Sequence, residues 1–237
     1  MSNSPSTRIE RAISLMVSCA AIVVASTVVH REFFTGRPAP PRTRAYVTYT
    51  KEWRTLLTSG RLIGDSAAPV KIIEFMDIEC PFCRQLNAAL HTVRQKYPNE
   101  VAYVFVHYPL PTHRFGAIAA RAAECGASAG RFLATIDALY AKQDSFGLRP
   151  WSAYAKSAGL SDTGAFAQCV SQSSSPPLVS AGVAAGRKIG VSGTPTVIVN
   201  GWRYSATPSD AELLGLISDV LAGRTPQQAL APGAQHE

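Results

Sequence analysis

Val70-Lys71-Ile72-Ile73-Glu74-Phe75-Met76-Asp77-Ile78-Glu79-Cys80-Pro81-Phe82-Cys83 runs from an apolar, β-prone segment into two cysteines spaced C-x-x-C. Beyond it Leu86, Ala89, Leu90 and Val93 recur at helical spacing, which predicts a helix over Pro81 to Tyr97. Cys80 then falls at the N-cap and Pro81 at the first helical position, where a missing N–H costs nothing. Free amide groups and the positive end of the helix dipole favour a thiolate there. A fall in pKa from ~8.5 to ~6 would raise the ionised fraction at pH 7 from roughly 3% to roughly 90%. Cys80 is thus the expected nucleophile, and Cys83, one turn further, the resolving thiol.

Two other uses of a C-x-x-C pair are weaker. A zinc site needs a second Cys or His pair at ligand spacing, but Cys125 and Cys169 stand alone and His107 and His113 belong to no cysteine knuckle, so no metal is expected. A structural disulfide within so short a loop is strained and easily reduced. Glu74 shares an alternating strand face with Ile72 and Met76. Burial would raise its pKa and let it exchange a proton with the resolving thiol; an edge-strand glutamate reaching solvent is the other reading. Gly193-Thr194-Pro195-Thr196 leads into Val197-Ile198-Val199-Asn200-Gly201-Trp202, a strand and an Asn-Gly hairpin turn. Thr194-Pro195 is the candidate cis bond, with an ordinary trans proline at the strand start as the alternative.

These residues resemble the DsbA-like thiol:disulfide oxidoreductases of the thioredoxin superfamily over about residues 53–222. Glu74 to Cys83, Tyr108-Pro109-Leu110, Arg121-Ala122-Ala123-Glu124-Cys125 and Gly190 to Thr196 carry the resemblance. It implies that Cys80 attacks substrate disulfides, that Cys83 resolves, that Glu74 is the buried acid and that Pro195 is a cis-proline facing the cysteines. Phe82, Thr194 and Pro195 would then contact substrate, with the Thr194 backbone pairing like a strand with an extended chain. Phe82 departs from the strongest oxidants, which resemble this pattern with His before the second cysteine. A phenyl ring donates no hydrogen bond to a thiolate.

The expected fold class is α/β, thioredoxin-like, with an inserted all-helical subdomain. Val70 to Met76 and Val101 to Tyr108 read as strands around the first helix. From His113 to Ile189 the chain is Ala-rich and helical, broken at Gly130, Gly147 to Pro150, Gly159 to Asp162 and Ser173 to Pro177. Thr196 to Val199 and Trp202 to Ser205 form a hairpin, and Ser209 caps a last helix to Ala222 whose apolar face is Leu213, Leu214, Ile217 and Val220. Trp53, Leu56 and Leu57 suggest a short helix packed on the domain. Cys125 and Cys169 lie on two different inserted helices, either as a structural disulfide or as two buried free thiols. His107 and His113 are expected to be structural.

Of 237 residues, 23 are Lys or Arg and 16 Asp or Glu; the first 45 hold six Arg and two Glu, leaving the rest nearly balanced. No nucleic-acid face is indicated. Residues 1–11 form a short tail, 12–29 an uncharged run read as a membrane anchor or a cleaved signal segment, 30–52 a Pro- and Arg-containing linker, and 223–237 a polar tail. Disulfide formation needs an oxidising compartment, so the expected location is outside the cytoplasm. The expected activity is dithiol–disulfide exchange on cysteine-containing proteins, without a bound cofactor and with a membrane partner recycling the dithiol. The direction reads first as oxidase, then as anchored reductase or isomerase; a non-catalytic peptide-binding or chaperone module is the rival of another kind.

Overall fold

The computed structural model describes residues 5–33, 47–204 and 207–225. It divides into two units, Met1–Arg44 and Ala45–Glu237. The described residues of the first form helix α1, Pro5–Phe33. Its Ile13, Leu15, Met16, Val17, Ile22, Val23 and Val24 are exposed. The expected anchor over 12–29 falls inside α1, with the side chains of Ala12 and Val28 outside the described residues. Among the described residues no helix is long and apolar enough to cross a membrane. Prolines 38, 40 and 41 and arginines 37, 42 and 44 of the expected linker, Ser205 of the hairpin and the tail from 226 also lie outside them.

The second unit is built on one six-stranded sheet. Val47–Tyr49 is β1, a 3-10 turn covers Trp53–Thr58, and Arg61–Ile63 is β2. Strand β1 lies within the stretch read from sequence as linker 30–52. Strand β3, Val70–Met76, feeds α2, Pro81–Lys96, which returns the chain to β4, Val101–His107, parallel to β3. The insertion follows as α3 Gly116–Ser128, α4 Phe132–Ala141, a 3-10 turn Gln143–Ser145, α5 Trp151–Ser157, α6 Thr163–Val170 and α7 Pro177–Lys188. Each of the four expected breaks separates two of these helices. Strands β5, Thr196–Val199, and β6, Trp202–Tyr204, make the hairpin, and α8, Asp210–Leu221, closes the unit. Asn200 and Gly201 both have positive φ, 45° and 93°, as a two-residue hairpin turn requires. Ser209 caps α8 reciprocally with Glu212, its hydroxyl accepting the Glu212 N–H and its own N–H donating to the Glu212 carboxylate.

The sheet order is β1-β6-β5-β3-β4-β2. Central β3 therefore has neighbours on both sides, and all its residues but Lys71 are buried, on both faces. On one face Val70, Ile72 and Met76 pack with Leu86, Leu90 and Val93 of α2, Leu213 and Ile217 of α8, and the insertion's Ala119, Ile136 and Leu139. Leu216, absent from the face read in the sequence, is buried with them. On the other face Ile73, Phe75, Val104, Val106 and Ile198 pack with Trp53, Leu56 and Val191. Helix α7 reaches this face because Gly182 has no side chain: a Cβ there would stand 2.4 Å from the His107 carbonyl oxygen.

Candidate active site

The cysteines sit where the sheet delivers them. Strand β3 ends at Met76, residues 77–80 form a short loop, and Cys80 caps α2 in extended conformation with Pro81 at the first helical position. Strand β5 runs antiparallel to β3, with Thr196 opposite Phe75, so the residues just before Thr196 come to the same sheet edge. There Thr194-Pro195 is a cis peptide, and Cys80 Sγ lies 3.3 Å from the Thr194 carbonyl oxygen, to which it donates only when protonated. Phe82 is 58% exposed beside a 4% exposed Cys80 and a fully buried Cys83. Both cysteines are free thiols.

The Cys80 thiol is lowered from 9.0 to about 5. A hydrogen bond from the Cys83 thiol is the largest cause; burial opposes it, and the peptide N–H groups of Cys83 and Phe82 add to it. At pH 7 a group of that pKa is about 99% ionised. Helix N-terminal N–H groups contribute, as the sequence suggests, but the resolving thiol contributes more. Cys83 is pushed the other way, chiefly by burial and then by its bond to Cys80. One sulfur is a ready nucleophile and the other holds its proton, which gives the two thiols different roles.

Glu74 is 3% exposed on the face it shares with Ile72 and Met76, and burial, opposed by Arg94, raises its pKa from 4.5 to about 8. It is not an edge residue reaching solvent. The buried Tyr140 phenol is raised, first by burial and then by the charges of Cys83, Glu74, Asp77 and Cys80. Its hydroxyl has no partner among the described residues, whereas the Thr194 side chain helps lower the pKa of both cysteines.

The loop carrying Cys80 is clamped by residues to which the sequence reading gave no role. Gln143, from the 3-10 turn of the insertion, donates its amide to the carbonyls of Ile78 at 2.6 Å and Cys80 at 3.0 Å. The Phe115 N–H donates to the Glu79 carboxylate. Asp77 is buried and accepts from His113 Nδ1 at 2.7 Å. The partner of His113, expected to be structural, thus lies beside the dithiol. His107 is buried on β4, its Nε2 3.1 Å from Glu124, which also pairs with Arg61. Cys125 and Cys169 form a disulfide that staples α3 to α6. Among the described residues no group of three His, Cys, Asp or Glu side chains could hold a metal ion.

The sheet topology, with a free C-x-x-C dithiol at the start of α2, makes this a thioredoxin-like fold carrying a redox-capable cysteine pair. Residues 57–219 match the Thioredoxin family, and the chain belongs to it. Among solved structures, oxidised BdbD of Bacillus subtilis superposes with TM-score 0.63 at 21% identity, covering 76% of this chain and 100% of that one. A thioredoxin-like oxidoreductase of Silicibacter pomeroyi gives TM-score 0.59 at 23% identity over 71% of this chain and 95% of the other. A curated relative, the Na(+)/H(+) antiporter NhaA 1 of Mycolicibacterium gilvum, is 36% identical over 164 residues, 68% of this chain and 26% of the antiporter. The chain thus spans about a quarter of the length of such relatives.

Proposed function

We propose that the protein is a disulfide-forming oxidase of an extracytoplasmic compartment, acting on cysteine-containing proteins. The observation that carries the reading is the unequal placing of the two thiols, Cys80 at the N-cap of α2 against the cis Thr194-Pro195 bond and Cys83 fully buried, which lowers the Cys80 pKa to about 5 and raises that of Cys83. Stabilising the thiolate stabilises the reduced pair, and a dithiol stable when reduced is an oxidant when bridged. A substrate thiolate attacks Cys80 of the Cys80–Cys83 disulfide, forming a mixed disulfide and releasing Cys83. A second substrate thiolate then attacks the substrate sulfur, closing the substrate disulfide and freeing Cys80. Glu74, neutral at neutral pH, exchanges the proton that Cys83 gains or loses. Exposed Phe82, with Thr194 and Pro195, forms the substrate-facing rim. A membrane redox partner re-oxidises the dithiol.

The Cys125–Cys169 disulfide supports the location, since such bridges persist in oxidising compartments. We assign residues 12–29 the role of export segment, on the strength of their uncharged run within α1. The test is the oxidation of a reduced, unfolded two-disulfide protein. Native disulfides should accumulate only when Cys80 and Cys83 are both present. Rapid insulin reduction without net oxidation would instead support a reductase, and no cysteine-dependent turnover would leave only peptide binding. Fractionation with N-terminal sequencing tests the export role, which cytoplasmic retention of the full chain would contradict.

A further inference from the structure

We propose that Asp77 is a positioning residue for the resolving sulfur: its buried carboxylate is pinned so that its own peptide N–H points at Cys83 Sγ. That N–H lies 3.4 Å from the sulfur. Oδ1 of the carboxylate accepts the Glu79 N–H at 2.8 Å, while Oδ2 accepts the Leu110 N–H and His113 Nδ1–H, each at 2.7 Å. Gly116, the first residue of α3, completes the cradle, since a Cβ there would stand 2.8 Å from Oδ1. The holders come from the active-site loop, the segment after β4 and the start of the insertion. Asp77 therefore cannot rotate without disturbing three separate pieces of chain.

The chemical consequence follows from where charge goes during exchange. When a substrate thiolate attacks Cys80, a substrate–Cys80 S–S bond forms, the Cys80–Cys83 bond breaks, and its electron pair leaves on Cys83 Sγ. In the reverse step the Cys83 thiolate attacks Cys80 and expels the substrate thiolate. Both directions place negative charge on a fully buried sulfur, where a fixed N–H counts for more than it would in water. The Asp77 N–H lowers the Cys83 pKa against the burial that raises it. No cofactor or outside oxidant enters these steps.

The inference rests on Cys80 as attacking thiol and Cys83 as resolving thiol, so the experiment reads the two separately. Reduced protein is mixed with a disulfide-bridged peptide, and stopped-flow follows the formation of the Cys80 mixed disulfide and then its release by Cys83. Gly116→Ala displaces the carboxylate, and His113→Ala, at a half-buried site, removes one donor; neither replaces Asp77 itself. Release should slow about tenfold in Gly116→Ala and about threefold in His113→Ala, as expected for a weakened hydrogen bond to a charged group. Alkylation of Cys80 at pH 7 should stay within twofold of wild type. Unchanged release in both folded variants overturns the proposal, and so does an equal fall in release and Cys80 alkylation, which would mark a merely structural role. Alkylation of wild-type protein at Cys83 rather than Cys80 would refute the underlying assignment instead.

Discussion

Glu74→Gln should make the protein more stable and less active, with the stability gain depending on pH. The unfolded chain releases the Glu74 proton near 4.5, whereas burial in the native protein holds it to about 8. Native stability from this group is therefore whole below pH 4.5 and is lost as pH rises to 8. At about 1.4 kcal/mol per pH unit, the loss is about 3 kcal/mol at pH 7 and ~5 kcal/mol above pH 8. Glutamine keeps the shape and the neutral form but does not titrate. Each kcal/mol moves the melting temperature of a domain this size by about 2–4 °C, so the variant should melt with wild type at pH 4 and about 6–12 °C above it at pH 7. Scanning calorimetry of the oxidised protein, in which Cys80 and Cys83 do not titrate, isolates the effect. In the dithiol assay the same variant should exchange at least tenfold more slowly, because glutamine can neither give nor take the proton that Cys83 exchanges. A melting-temperature gap that is absent, or equal at pH 4 and pH 7, would refute the buried-acid reasoning.

Cys83→Ala should trap substrates as mixed disulfides through Cys80 and raise the Cys80 pKa from about 5 by about one to two units, since a hydrogen bond to the thiolate is lost. Thiolate absorbance against pH and non-reducing gels check this; trapping by Cys80→Ala instead would reverse the assignment. Replacing Cys125 and Cys169 by alanine should cost about 4 kcal/mol through the loop they close across 44 positions, a fall of roughly 8–16 °C in melting temperature. A change under about 2 °C would show that the bridge contributes little. Gly182→Ala should destabilise by at least ~2 kcal/mol, because its methyl group meets the His107 carbonyl; urea unfolding within 0.5 kcal/mol of wild type would show that α7 shifts freely.

What could be read in the sequence is what periodicity and punctuation encode. Helix α2 announces itself through Leu86, Ala89, Leu90 and Val93 with Pro81 at its start, and the hairpin through Asn200-Gly201. The helical breaks coincide with Gly, Pro and Ser clusters. Strands β1 and β2 escaped because each is three residues long at a sheet edge, too short to show alternation. The dithiol was legible as a local motif, but its clamp was not. Asp77 and His113 are separated by 36 positions and Gln143 and Ile78 by 65, and neither pair leaves a spacing signal. The weight of the Cys83 thiol in lowering the Cys80 pKa was hidden likewise, because it depends on how the two sulfurs face each other within the first turn.

The central claim, that this is a disulfide-forming dithiol, is tested most directly by the reduction potential of Cys80–Cys83, measured by equilibration in glutathione buffers and trapping of free thiols. The couple should be oxidising, between about −120 and −200 mV, set by the stabilised Cys80 thiolate and held short of the strongest oxidants by Phe82. A value below about −250 mV would contradict it and make the protein a reductase.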